Sequence, residues 1–284
     1  MRLLVTNDDG INSPFLHELI FALQAAGHEL YVVAPVNEQS WTGASKTRGR
    51  PVKSAAVDRG FGCPTWIVDG TPSDCVNIAI AHLLPAKVEG ARPEQSRDRG
   101  SVEGAKGPEP TTCVEGVVSG INVGFNCTLA FIIASGTVAG AWEGALHGLP
   151  AMAVSQDVSE DTYYRLKNHG GVPDGELLAT LKISAARTAV LAGQILSTTP
   201  PRSFTVHNLN FPHPCRPNTA VKQTVPAHFF VPGLFTPADN EGRHQLIWTQ
   251  GEDVSPSEMV TDLKTVEAGF ISHTVLDYRK LGHG

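Results

Sequence analysis

Apolar residues fall in short runs along this chain, and the spacing within each run predicts an element. Leu3-Leu4-Val5 is an unbroken triplet, which reads as a short buried strand. Ser13-Pro14 then places a cap residue ahead of a proline at the first helical position. Leu16, Leu19, Ile20 and Leu23 recur at helical spacing, and Gly27 ends that helix. Leu30 to Ala34 is a second buried strand, stopped by Pro35. Strand, helix and strand in this order form the βαβ unit of a parallel sheet.

The alternation continues. Trp66-Ile67-Val68 is a strand. A helix follows from about Ser73, with Val76, Ala79, Ile80 and Leu83 on one face, and ends before Pro85. Val117-Val118 is a strand running into Ser119-Gly120, Thr137 to Leu146 a small-residue helix, Ala151 to Val154 a strand. A long helix fits Glu176 to Leu196, and Phe204 to Val206 is one more strand. The expected class is therefore α/β: a Rossmann-like, doubly wound, mostly parallel sheet. Residues 86–112, rich in Pro, Gly, Glu and Arg, offer little to bury and read as an inserted surface loop. Residues 1–212 form the core in this reading, and 213–284 a C-terminal hairpin and oligomerisation segment packed on it. Its short runs, such as His228 to Val231 and Gln245 to Trp248, suit projecting hairpins.

Composition narrows the function. The chain has 284 residues, 41% hydrophobic and 18% charged, an ordinary globular balance. The net charge of -6, without a Lys/Arg block, argues against duplex nucleic acid as a partner. No apolar run approaches the roughly 20 residues that span a bilayer, so no membrane is expected. Met1 leads straight into a strand rather than a leader pattern. Five scattered cysteines without CxxC spacing suit reduced thiols and a cytoplasmic location. Asn126-Cys127-Thr128 spells a glycosylation sequon that such a location makes meaningless.

The informative polar clusters fall where the strands stop. Asp8 and Asp9, in Asn7-Asp8-Asp9-Gly10, follow the first strand; Ser40 lies in the loop after the second; Asn122 follows the Val117-Val118 strand. Open parallel sheets bind ligands outside the carboxyl ends of their strands. Two adjacent carboxylates repel, and a divalent ion answers that repulsion. Carboxylate, hydroxyl and amide oxygens suit Mg²⁺, Mn²⁺ or Ca²⁺ better than Zn²⁺. Ser135-Gly136-Thr137 at a helix start makes an anion site, where backbone N–H groups and the helix dipole favour phosphate. Each feature alone is also an ordinary turn or cap. Asp74 reads as support for the first turn of its helix, Cys75 as core, His17 as a solvated helix residue.

Taken in order, Asn7–Gly10, Ala34-Pro35 with Ser40, Gly70–Val76, Val117–Asn122 with Gly124 and Asn126, Ser135–Ala141, His147–Ser155, Leu209–Pro212 and Gly269–Leu276 resemble the SurE (survival protein E) nucleotidases. The resemblance implies a metal-dependent phosphomonoesterase that removes phosphate from nucleoside 5′-monophosphates, with the 3′ isomers as an open second case. It implies one divalent cation, Mg²⁺ or Mn²⁺, on Asp8, Asp9, Ser40 and Asn122. Phosphate would meet Asn126, Ser135, Gly136 and Thr137, and the chain would form a homodimer or homotetramer. Asp8 and Asp9 are then the catalytic carboxylates. Direct attack by water, with Asp8 as base, and an aspartyl-phosphate both stay open. The chain departs from the family at Trp41-Thr42, at 127–134 and at Ala134, where relatives carry an aromatic residue or histidine, and these changes bear on substrate preference. A low-turnover nucleotide-binding homologue and a phosphatase for another small ester are the competing readings.

Overall fold

The structure, a computed structural model, describes residues 1–85, 112–168, 171–247 and 251–280. Among these residues, eleven strands and seven α-helices follow one another: β1 (Arg2–Thr6), α1 (Pro14–Ala25), β2 (Glu29–Pro35), β3 (Ser54–Ala56), β4 (Thr65–Val68), α2 (Pro72–Ile78), β5 (Gly116–Val123), α3 (Thr128–Ala134), α4 (Gly136–Leu146), β6 (Ala151–Gln156), α5 (Glu160–Asn168), α6 (Gly175–Thr198), β7 (Thr205–Phe211), β8 (Val221–Thr224), β9 (Phe229–Phe230), β10 (Glu252–Asp253), α7 (Asp262–Glu267) and β11 (Ile271–Asp277).

Nine strands make one sheet in the order β3-β4-β2-β1-β5-β6-β7-β11-β8. The six from β4 to β7 are parallel, with Leu3 opposite Leu30 on one side and Gly116 on the other. β3 and β11 run antiparallel to β4 and β7. Side chains alternate between the two faces. Leu3 and Val5 of β1 pack with α1 and α6, while Leu4 packs with α2 and α4 on the other face. Both faces are therefore covered, and the central strands read as continuous apolar runs.

Particular turns follow from particular residues. Ser13 holds the N-cap position of α1 with Pro14 behind it, but its hydroxyl makes no cap bond. Thr71 and Asp74 form a reciprocal capping box on α2. Beyond Ile78 the same helix widens into a π-turn over Ala79–Leu83. α4 lies close on the sheet because its inner face is glycine: a Cβ on Gly140 would sit 2.9 Å from the Ser119 hydroxyl, and one on Gly144 2.5 Å from Val117.

One expectation is revised and others are filled in. Residues 128–134, to which the sequence assigns no element, form helix α3. Residues beyond 212 return to the main sheet as β8 and β11, and a separate ribbon pairs β9 with β10. The expected insertion lies outside the described residues apart from Thr112, which is buried. Its flanks meet, since the Cys113 N–H donates to the Pro85 carbonyl at 3.1 Å. His17 is half-buried rather than solvated, hydrogen-bonded to the Ile11 carbonyl at 2.9 Å and edge-on to Phe61. All five cysteines are free. Among the described residues no single helix is long and apolar enough to cross a membrane.

Candidate active site

Strand order reverses between β1 and β5: β2 and β4 lie to one side, β6 and β7 to the other. The crevice above that reversal is where such sheets take ligands. Asp8 and Asp9 leave β1 there, the loop carrying Ser40 leaves β2, and Asn122 sits near the end of β5, where the pairing with β6 slips between Ser119 and Asn122. A cavity of about 370 Å³ opens at this point, and Asp8, Ser40, Asn122, Asn126 and Ser135 all line it. Asp9 faces a second, adjoining cavity with Glu38, and Val123 borders both. The Asp9 carboxylate accepts the Val123 N–H at 3.2 Å.

Asp8 is almost wholly enclosed, at 3% exposure. Its carboxylate accepts the Thr137 hydroxyl at 2.5 Å and also the Thr137 N–H at the start of α4. Burial pushes its carboxyl up to about 6; the bonds from Thr137 and its own N–H oppose that rise, and the charge of Glu38 adds to it. The anion at the α4 N-terminus is thus Asp8 itself. Thr137 is fully buried, and Ser135 caps the helix by accepting the Val138 N–H at 3.1 Å. Gly136 is needed for close approach, but of the protein: a Cβ there would lie 2.8 Å from Asp8 Cβ and 2.9 Å from the Gln39 carbonyl. The expected phosphate cradle at 135–137 therefore holds a carboxylate in this structure, and Ser135 alone of the three reaches the cavity. Asn126 reaches it too, though its amide nitrogen donates to Ser155 at 2.9 Å, an arrangement that also closes its sequon to modification.

The Ser40 loop is fastened along its length. Gln39 N–H donates to the Asp8 carbonyl at 2.7 Å, and Gly43 N–H to the Ala134 carbonyl at 2.9 Å. The Thr71 hydroxyl donates to the Ser45 carbonyl at 2.8 Å, and the Thr47 N–H reaches Asp74 at 3.1 Å. Lys46 pairs with Glu143 of α4 at 2.5 Å. Glu143 is buried and also accepts from Asn77 at 2.8 Å. Burial would raise its carboxyl, but the bonds from His147, Lys46 and Asn77 outweigh it and hold it at about 2. Asp74 thus caps α2 as expected and tethers this loop as well. Lys46 and Glu143 escaped the motif reading; the signal was a single acid in the otherwise small and apolar Gly136–Leu146 run.

Donor chemistry tests whether a divalent cation suits these residues. Asp8, Ser40 and Asn122 offer oxygens to one cavity and Asp9 lines the adjoining one, and Asn122 spends its amide nitrogen on the Gly124 carbonyl at 2.7 Å, leaving its oxygen as acceptor. All four are hard ligands and fit such an ion. Among the described residues no three His, Cys, Asp or Glu side chains converge as a metal group, so a cation here would have to draw on amide and hydroxyl oxygens as well. The Ser40 hydroxyl donates to Glu38 at 2.8 Å, which leaves its lone pairs to accept.

The chain is similar to known proteins over most of its length. The family model described as Survival protein SurE matches residues 3–96 and 100–229. A protein of Thermus thermophilus named 5′-nucleotidase SurE 1 is 35% identical over 286 aligned positions, covering all of this chain and 94% of its own. A 5′-nucleotidase SurE of Cyanothece is 29% identical over 98% of this chain and 91% of its own. Among solved structures, the SurE protein from Aquifex aeolicus superposes with a TM-score of 0.65 at 27% identity, covering 98% of this chain and 93% of that one. On the family match across most of its length and the full-length relative from Thermus, this chain belongs to the SurE family.

Proposed function

We propose that the chain is a metal-dependent phosphomonoesterase that removes phosphate from nucleoside 5′-monophosphates, with 3′-monophosphates as a second substrate. The relatives' name, 5′-nucleotidase, supports the reaction class. One observation carries the site: an enclosed carboxylate, Asp8, held by Thr137 at the head of α4 and opening on a cavity with further oxygen donors. A Mg²⁺ or Mn²⁺ ion held by Asp8, Asp9, Ser40 and Asn122 would neutralise charge on the phosphate oxygens. Thr137 fixes the orientation of Asp8, and Asp8 accepts the proton of the attacking water. Ser135 and Asn126 meet the phosphate where they line the cavity. The exposed Phe230, Phe235, Leu246 and Ile247 beyond the core suit a homodimer or homotetramer. A panel of phosphate esters assayed with added Mn²⁺, then with chelator, tests the reaction. Steady phosphate release from adenosine monophosphate that chelator abolishes is the expected result. Binding without turnover, or release only from unrelated esters, would sink it.

A further inference from the structure

We infer that Trp41, braced by Phe131, is the specificity-determining wall of the cavity and receives the aromatic base of the substrate by stacking. The inference rests on the nucleotidase reading above. Trp41 follows Ser40 directly and lines the same cavity as Asp8. Its backbone is left-handed, with φ 62°, a conformation that a bulky residue holds only when its surroundings impose it. Both flanks impose it: the Thr42 hydroxyl donates to the Gln39 carbonyl at 2.8 Å, and Gly43 is tied to the Ala134 carbonyl. The indole packs at 83° to the Phe131 ring, 5.7 Å between centroids. Phe131 is backed by Phe125 at 6.1 Å and Phe229 at 5.9 Å. An edge-to-face aromatic cluster therefore ends in an indole that remains 41% exposed on the cavity that Asp8 also lines.

Charge points the same way. The charged residues on the cavity wall are Asp8 and Glu160, and no Lys, Arg or His is among the described residues that line it. Among the described residues, this wall offers the part of the substrate beyond the phosphate neither cation nor salt bridge. What the wall offers is a flat, polarisable surface, and every nucleobase has a face to match it. The favoured substrates are phosphate esters of nucleosides, and of other aromatic alcohols, over esters of glycerol or simple sugars.

The test compares adenosine 5′-monophosphate with glycerol phosphate, in the full chain and in Trp41→Ala and Trp41→Phe. Trp41→Ala should raise KM for the nucleotide about tenfold, the loss expected for a stacked base, with kcat nearly unchanged. Glycerol phosphate turnover should stay within about twofold, and Trp41→Phe should restore most of the nucleotide affinity. Equal losses on both esters would mean that Trp41 only shapes the Ser40 loop, and no loss on the nucleotide would mean that the base lies elsewhere; either overturns the inference. Should neither ester turn over, calorimetric titration with adenosine still reads the wall. Adenosine binding that Trp41→Ala abolishes upholds the inference while the phosphatase reading fails. Binding that survives the substitution, or no binding to the parent chain, overturns it.

Discussion

Asp8 carries the greatest electrostatic load in the site. Its folded value lies above the ordinary 3.8, so the charged form costs stability as pH rises through about 6. Asp8→Asn removes the charge and keeps the shape. Without metal, the variant should melt at or a few degrees above the parent near pH 8, and added Mn²⁺ should no longer raise its melting temperature. Phosphatase activity should fall by two orders of magnitude or more. A folded Asp8→Asn protein with near-normal turnover would show that the Asp8-Asp9 pair is only a turn. Thr137→Val is the companion change. It deletes the hydroxyl donor to Asp8 and keeps volume, so activity and Mn²⁺ affinity should fall together while the helix survives on the Ser135 cap. Unchanged metal titration in Thr137→Val would remove Thr137 from the site.

At the scale of elements, the Lys46–Glu143 pair couples the β2 loop to α4. Glu143 sits below its ordinary 4.5, so its contribution to stability is present above that pH and is lost as pH falls from about 4.5 towards 2. Melting temperature measured between about pH 5 and pH 3 should fall less steeply in Glu143→Gln than in the parent. Lys46→Met leaves the Glu143 carboxylate buried without its cation; a loss of several degrees, with activity restored by excess Mn²⁺, is the expected pattern. The elements themselves were legible where local chemistry decides them. Leu3-Leu4-Val5, Leu30 to Ala34 and Ala151 to Val154 are buried strands as their unbroken apolar runs imply. α4 and α6 match their expected spans to within two residues. α3 was not legible, because Thr128-Leu129-Ala130-Phe131-Ile132-Ile133-Ala134 is short and apolar nearly all round, so no polar face marks it as a helix. Gly269–Leu276 carries a motif but no sign of where β11 belongs, since its place between β7 and β8 is a long-range pairing that no local pattern records. The carboxylates and oxygen donors at the strand ends could be read from turn chemistry. That Thr137 serves Asp8 could not, because the contact joins residues 129 positions apart.

At the scale of the whole molecule, the residues that flank 86–111 meet at one point. The Cys113 N–H donates to the Pro85 carbonyl, and Cys113 and Val114 are in the core. Replacing residues 87–110 by a short Gly/Ser linker should leave the melting temperature within about two degrees, because closure entropy changes only logarithmically with loop length. Differential scanning calorimetry of the shortened chain checks this, and its unfolding would show that the segment contributes to the core.

The glycine face of α4 sets how far the helix stands off the sheet. Gly144 meets Val117 two turns away from the end that grips Asp8, and Gly140 meets Ser119 and Thr6 between them. The helix is a stiff rod, so a methyl group added at either point acts as a shim beneath it and carries the displacement to its far end. Misplacement of a reacting group by about 1 Å costs roughly a hundredfold in rate. The calibration of the carboxylate is thus written in two residues that never meet a substrate, and a change there would register as lost catalysis in a protein whose every site residue is intact.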